Sequence, residues 1–122
     1  MGHSILIVDD DAEIATLLSI RLTKIGYAIS TVDDGTKALA AVRRTKPDLI
    51  LLDVMMPGKS GWDVLRALKA DEALRDIKVI MVSAIGELTN EITARMYGAD
   101  GHVDKPFEFE TLEAAIRTAL AS

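Results

Sequence analysis

Five side chains that could bind a metal ion or a phosphoryl group each follow a short apolar run of the chain. These side chains are Asp9, Asp10, Asp53, Ser83 and Lys105. The apolar runs span residues 5–8, 49–52 and 79–82, and a short predicted strand near residues 102–103 precedes Lys105. Uninterrupted apolar runs of this kind are typical of strands that are buried on both faces. Because parallel strands end at the same edge of a sheet, where α/β proteins bind their ligands, we predict one site centred on Asp53.

Three carboxylates, a hydroxyl and an ammonium group favour a particular chemistry. Carboxylates a few ångströms apart raise each other's pKa unless a cation joins them. Mg²⁺ takes carboxylate oxygens, waters and phosphate oxygens as ligands, and Mn²⁺ is expected to substitute for it. The Lys105 ammonium can bind a phosphate, and the Ser83 hydroxyl can donate to a phosphoryl oxygen. Since a carboxylate can act as a nucleophile, the sequence predicts Mg²⁺-dependent formation of an aspartyl phosphate on Asp53.

The elements that would position these residues alternate along the chain. Five strands separated by five helices predict an α/β fold, because right-handed crossovers produce a parallel sheet covered on both faces. We expect the flavodoxin-like, doubly wound (βα)5 arrangement with strand order 2-1-3-4-5. The apolar positions expected to face inward on the first helix are Ile14, Leu17, Leu18, Leu22 and Ile25. We expect the fourth helix over residues 89–97, packed through Ile92 and Met96.

Length and composition limit the classes of function. A chain of 122 residues has the size of one domain. The absence of cysteine excludes disulfides and thiolate chemistry and permits the cytoplasm, which is the expected location. The apolar runs are too short for a bilayer, so no membrane partner is expected. A net charge of −5 argues against a nucleic-acid surface, so no direct nucleic-acid partner is expected.

Four short motifs carry a resemblance to a known family. They are Val8-Asp9-Asp10, Asp53-x-x-Met56-Pro57, Ser83-Ala84 and Lys105-Pro106-Phe107. With these motifs, essentially the whole chain resembles the receiver domain of the response regulators of two-component signalling. The resemblance implies a single receiver domain over residues 1–122, with no output domain in this chain.

The resemblance also implies roles for the site residues. Asp53 would be the phosphoacceptor and would take its phosphoryl group from a histidine kinase or a phosphotransfer protein. Asp10 would bind Mg²⁺ directly and Asp9 mainly through water, with Asp53 and the backbone carbonyl of Met55 as the other protein ligands. Lys105 would pair with the phosphoryl group. Such a domain is not a conventional enzyme, although it catalyses its own phosphorylation and autodephosphorylation.

Switching is implied for two further residues. Ser83 would bond the phosphoryl group and move toward it on activation. His102 stands where the family usually has tyrosine or phenylalanine, whose rotamer is coupled to that hydroxyl. Either His102 takes part in switching or it is a surface histidine without a role in signalling. The Lys105–Pro106 bond is expected to be cis in this family.

The resemblance also leads to expectations about partners and about the lifetime of the phosphorylated state. The switched surface would contact a downstream protein target or a missing output domain, in a monomer or a weak, activation-dependent dimer. Gly101 stands where receivers that dimerise through the fourth helix, fifth strand and fifth helix usually have aspartate. Met55 and Ile85 occupy the two variable positions that tune hydrolysis in the family. Because neither can orient a water molecule, we expect the phosphorylated state to last minutes or longer.

Three alternatives remain at this point. A phosphatase or phosphotransferase with an aspartyl-phosphate intermediate would need a second carboxylate at position 55, where the chain has methionine. A nucleotide- or flavin-binding module would need a glycine-rich first turn, which residues 9–12 do not provide. A receiver could also work unphosphorylated, as a binding module. The other acidic residues near the predicted strand ends are interpreted as helix-start and turn residues: Asp11, Asp33 and Asp34.

Overall fold

A computed structural model of the chain describes residues 2–56, 58–84 and 91–122. Within them, strands and helices alternate. The strands are β1 Ser4–Val8, β2 Ala28–Val32, β3 Leu49–Asp53, β4 Lys78–Ala84 and β5 Gly101–Lys105. The helices are α1 Ala12–Ile25, α2 Gly35–Thr45, α3 Gly61–Ala70, α4 Glu91–Met96 and α5 Phe109–Ala121. The five strands form one parallel sheet in the order β2-β1-β3-β4-β5, which confirms the predicted flavodoxin-like fold.

The sheet is buried on both faces, and β3 shows why its sequence is continuously apolar. Every residue of β3 is buried. Ile50 and Leu52 pack in the core layer formed with α2 and α3, whereas Leu49 and Leu51 pack in the layer formed with α1 and α5. Because successive side chains of a strand point to opposite faces, a strand covered on both sides needs apolar residues at every position.

Acidic residues near the strand ends begin the helices that follow. The Asp11 carboxylate accepts hydrogen bonds from two amides in the first turn of α1. Asp34 caps α2 in the same way, and its neighbour Asp33 pairs with Lys37. The contacts of Asp11 and Asp34 satisfy amides that have no partner within the helix, whereas Asp33 pairs with a side chain in the first turn of α2. The interpretation of Asp11, Asp33 and Asp34 as helix-start and turn residues is therefore confirmed.

The inward face predicted for α1 is partly wrong. Leu18 and Leu22 are buried, but Leu17 is 58% exposed and Ile25 is 49% exposed. Each residue of a helix is rotated by about 100° from the one before it, so the buried stripe through Leu18 and Leu22 directs Leu17 away from the sheet. The apolar face indicated by the sequence of α1 is therefore wider than the face of this helix that packs on the sheet.

The face predicted for α4 is also wrong. Ile92 is 73% exposed and Met96 is 77% exposed, whereas Ala94 is fully buried against the core. A small residue lets this short helix approach the sheet closely, which directs the larger side chains outward. The start predicted for this helix, at residues 89–90, lies outside the described residues.

Candidate functional site

Four strands deliver polar groups to the carboxyl edge of the sheet. Asp9 follows the last residue of β1, and Asp53 ends β3. Ser83 is the penultimate residue of β4, and Lys105 ends β5. Because β1, β3, β4 and β5 are consecutive neighbours in the sheet, their ends converge on one site. The structure therefore brings together side chains that are far apart in the sequence.

Three aspartates form an acidic cluster at this edge. Asp9, Asp10 and Asp53 can each offer a carboxylate oxygen so that the three atoms lie within 4.8 Å of one another. Asp53 is 4% exposed and Asp9 is 6% exposed, while Asp10 faces solvent. The amide of Asp11 donates to Asp9 Oδ1 at 2.8 Å, which orients this carboxylate. The cluster is thus open to solvent on the side of Asp10.

Lys105, at the end of β5, lies against the cluster. Lys105 Nζ is 3.1 Å from Asp9 Oδ2 and 3.5 Å from Asp53 Oδ1, and its side chain is only 18% exposed. Burial alone would lower the pKa of Lys105. The hydrogen bond and charge of Asp9, together with the charge of Asp53, outweigh burial, so the pKa of Lys105 is raised. Lys105 is therefore fully charged at neutral pH.

The electrostatics of the cluster disfavour ionisation of Asp53. Burial is the main cause, and the negative charge of Asp9 adds to it, so the pKa of Asp53 rises from 3.8 to about 7. Lys105 opposes this shift, whereas Asp10 adds to it through its charge and a hydrogen bond. At neutral pH, Asp53 is poised between its neutral and ionised forms.

The donor set fits a hard divalent cation. When Asp9, Asp10 and Asp53 are all ionised, Lys105 balances only one of three negative charges. A divalent ion would balance the other two, and carboxylate oxygens are the ligands that Mg²⁺ and Mn²⁺ prefer. Met55 lies two residues beyond Asp53 with its side chain 62% exposed, and the role predicted for its backbone carbonyl stays a prediction.

Ser83 and His102 form a buried polar pair beside the cluster. Ser83 is fully buried, and its Oγ lies 2.7 Å from His102 Nε2. The side chain of His102 is only 6% exposed, so the interpretation of His102 as a surface histidine is wrong. Asp104 Oδ1 lies 3.5 Å from the same nitrogen and was missed in the sequence. The signal for it was present, since residues 102 and 104 of a strand share a face.

Of the remaining predictions near the site, one is confirmed and the others concern residues that the structure does not describe. The Lys105–Pro106 peptide bond is cis, as predicted. Pro57 and Ile85, which the sequence places in the loops after β3 and β4, lie outside the described residues.

A doubly wound parallel sheet that carries aspartates, a hydroxyl and a lysine at its carboxyl edge defines the class of this protein, the flavodoxin-like α/β domains. Within that class, the family model described as "Response regulator receiver domain" matches residues 5–117. The chain belongs to this family, the receiver domains of response regulators in two-component signalling.

Individual relatives agree with this membership. The chain is 44% identical over 118 residues to the "Probable transcriptional regulator ycf27" of Pyropia yezoensis, covering 97% of the chain and 47% of that protein. It is 41% identical over 120 residues to the DNA-binding response regulator MtrA of Mycobacterium tuberculosis, covering 98% of the chain and 51% of that protein. The chain thus spans about half the length of these relatives.

Solved structures agree as well. The BeF3-activated N-terminal receiver domain of RstA from Klebsiella pneumoniae has a TM-score of 0.87 at 29% identity, with 98% of this chain and 99% of that chain covered. The signal receiver domain of a signal transduction histidine kinase from Syntrophus aciditrophicus has a TM-score of 0.89 at 32% identity, with 98% and 91% covered.

The relatives correct the predicted partners. We expected no direct nucleic-acid partner from the net charge of −5, but the mycobacterial relative is a DNA-binding response regulator. The net charge of these 122 residues describes only this domain, whereas about half of that relative lies beyond the aligned region. The net charge of a receiver domain therefore does not exclude DNA as a partner of a longer protein that contains such a domain. No helix in the described ranges is both long and apolar enough to cross a membrane.

Proposed function

We propose that this domain is a phosphoacceptor switch, in which Asp53 takes a phosphoryl group from a phosphohistidine of a histidine kinase or phosphotransfer protein. The arrangement around Asp53 carries the proposal. Its buried carboxylate lies 3.5 Å from Lys105 Nζ and within a cluster formed with Asp9 and Asp10. A buried carboxylate beside an ammonium group and two further carboxylates suits phosphoryl transfer, which depends on positioning and charge stabilisation.

The transfer step follows from the chemistry of the carboxylate. An ionised Asp53 oxygen attacks the phosphorus atom, and the bond between phosphorus and the donor imidazole nitrogen breaks. The imidazole leaves with the bonding electron pair, and solvent supplies its proton. Lys105, which contacts both Asp9 and Asp53, is positioned to bind an oxygen of the incoming phosphoryl group. Hydrolysis of the aspartyl phosphate later returns the domain to its starting state.

A divalent cation completes this proposal. Asp9, Asp10, Asp53 and the backbone carbonyl of Met55 would hold Mg²⁺, and Mn²⁺ would substitute. Bound Mg²⁺ supplies positive charge that favours the ionised carboxylates and neutralises phosphoryl oxygens. The raised pKa of Asp53 supports this role, because this carboxylate is incompletely ionised at neutral pH without a cation.

Phosphorylation would be read out through Ser83 and His102. Ser83 would move toward the phosphoryl group and donate to it, and this movement would break its hydrogen bond with His102. By similarity to the DNA-binding relatives, we propose that the switch controls a DNA-binding response regulator. Residues 1–122 would act in it as a single receiver domain. The location expected from the sequence, the cytoplasm, stays a prediction.

The test is the intact mass of the protein after incubation with acetyl phosphate, with Mg²⁺ or with a chelator. We expect one added phosphoryl group on the wild type in Mg²⁺. We expect none in chelator and none on Asp53→Asn, which keeps the shape of the side chain. An adduct that survives in Asp53→Asn would contradict the proposal. Multiple turnover of an external phosphate ester would instead support the phosphatase alternative.

A further inference from the structure

The loop between β3 and α3 is closed at its base by close backbone contact. The amide of Gly61 donates to the carbonyl of Val54 at 2.8 Å. A Cβ atom at Gly61 would lie 2.3 Å from the carbonyl oxygen of Asp53, closer than any real Cβ contact. Glycine therefore lets the first turn of α3 sit directly on the end of β3. Met55, the predicted backbone ligand, belongs to the loop that this contact closes.

The outer part of the same loop packs on a different element, the start of α2. A Cβ atom at Gly35 would lie 1.9 Å from the carbonyl oxygen of Lys59. A Cβ atom at Gly58 would lie 2.6 Å from Asp34 Oδ1 and 2.7 Å from Thr36 Cγ2. Gly58 also has a φ of +76°, a conformation that favours glycine. Two glycines thus permit backbone contact between this loop and α2.

The start of α2 is itself well ordered by hydrogen bonds. Asp34 Oδ1 accepts from the amide and from the hydroxyl of Thr36, both at 2.7 Å. The amide of Lys37 donates to the carbonyl of Asp34 at 3.1 Å. The segment Asp34–Thr36, which we call the α2 turn, is therefore a firm support for residues 58 and 59.

We propose that the α2 turn positions the β3–α3 loop for cation binding, and that Gly35 is a positioning residue for the acidic cluster although it lies outside that cluster. The loop is fixed at its base on β3 and at its outer part on the α2 turn, so a shift of the α2 turn moves the backbone around Met55. This inference rests on the proposed function, because it concerns the predicted Mg²⁺ ligands.

Two substitutions in α2 separate positioning from stability. Gly35→Ala places a methyl group against the carbonyl of Lys59, so the loop must retreat. Ala38→Gly is the matched control, because Ala38 is fully buried in the same helix. Removal of its methyl group destabilises α2 but places no new atom against the loop. For both variants, calorimetry measures the affinity for Mg²⁺, and urea unfolding in chelator measures stability.

We expect Gly35→Ala to weaken Mg²⁺ binding by about tenfold or more, as a ligand displaced by an ångström would, and Ala38→Gly to change it less than about twofold. Equal Mg²⁺ affinities of the two variants would overturn the inference. A wild type that binds no Mg²⁺ would instead refute the proposed function, so the two failures are distinguishable.

A second measurement uses the wild type alone and needs no folded variant. Coupling between two sites is reciprocal. If opening of the α2 turn weakens Mg²⁺ binding by a given factor, bound Mg²⁺ must therefore disfavour that opening by the same factor. We expect Mg²⁺ to slow amide hydrogen exchange at Thr36 and Lys37 several-fold more than at Tyr27, whose amide bonds to Leu22 near the opposite edge of the sheet. Equal effects at these three amides would contradict the inference.

Discussion

Ser83 Oγ and His102 Nε2 lie 2.7 Å apart in a region from which solvent is nearly excluded. Ser83 is fully buried and the side chain of His102 is 6% exposed. Whichever of the two groups donates this hydrogen bond, Ser83 Oγ must leave the imidazole to reach a phosphoryl oxygen, so the proposed contact with the phosphoryl group costs this bond. The imidazole is therefore a competitor for the hydroxyl that is proposed to bind the phosphoryl group.

Replacing His102 by phenylalanine tests this competition. Phenylalanine keeps a ring at the position and removes the nitrogen that bonds Ser83. Because a hydrogen bond contributes about 0.5–1.5 kcal/mol net, we expect His102→Phe to raise the affinity for beryllofluoride about two- to tenfold. Titration with beryllofluoride in Mg²⁺ measures this affinity. In the background of Ser83→Ala, the same change should have no effect, and a loss of affinity in His102→Phe would contradict the prediction.

The raised pKa of Asp53 predicts a cost in stability at high pH. Between pH 4 and about pH 7, folded Asp53 holds a proton that the unfolded chain has released, so the free energy of unfolding falls as the pH rises. The shift amounts to at most about 4 kcal/mol above pH 7. We therefore expect Asp53→Asn to be more stable than the wild type at pH 8 in chelator, with the gain vanishing near pH 4.

Urea unfolding in chelator at several pH values measures this gain. The control is Asp33→Asn, which removes an exposed carboxylate that pairs with Lys37. We expect no comparable gain from that variant at pH 8. A wild type that becomes more stable between pH 5 and pH 8, relative to Asp53→Asn, would show that the sign is wrong.

Cation binding should depend on pH for the same reason. Below the pKa of about 7, Mg²⁺ must displace the proton of Asp53, so its affinity should fall by about tenfold per pH unit. Above pH 7 the affinity should level off. Lys105 lowers the pKa of Asp53, so Lys105→Gln should move the levelling-off point to higher pH. Calorimetric titrations between pH 5.5 and pH 8.5 would follow both curves, and an affinity independent of pH would contradict the argument.

The lifetime of the aspartyl phosphate follows from the side chain at position 55. Met55 stands two residues after Asp53, and a thioether is a poor group for orienting an attacking water. We expect the phosphorylated state to last minutes or longer, as measured by loss of the added mass after removal of acetyl phosphate. Met55→Gln, which offers an amide, should shorten it. Loss within seconds in the wild type would refute this prediction.

The sequence predicted the fold well where one physical rule dominates. The run at residues 49–52 is apolar because β3 is covered on both faces, and the polar strand ends converge because the strands are parallel. The face of α4 was wrong because Ile92 and Met96 are spaced like core residues. Such spacing shows that one side of a helix is apolar, but it does not show which element covers that side.

The details of the site were less predictable than its location. The contact between Ser83 and His102 depends on the register of β4 and β5, in which Ser83 lies opposite Asp104. A shift of one residue would turn these side chains to opposite faces, and no local pattern in either strand specifies the register. The contact of Gly35 with Lys59 likewise joins the start of α2 to the β3–α3 loop, and their approach depends on tertiary packing.

The ion pairs of Lys105 also bear on how the domain is synthesised. Asp9 and Asp53 leave the ribosome well before β5, which carries the cation that lies between them. Until β5 joins the sheet, the carboxyl edge holds negative charges without their lysine, and these charges repel one another. The final strand thus contributes electrostatic neutralisation as well as backbone pairing. The electrostatic gain from adding β5 should therefore be largest where neither protons nor divalent cations already neutralise the edge.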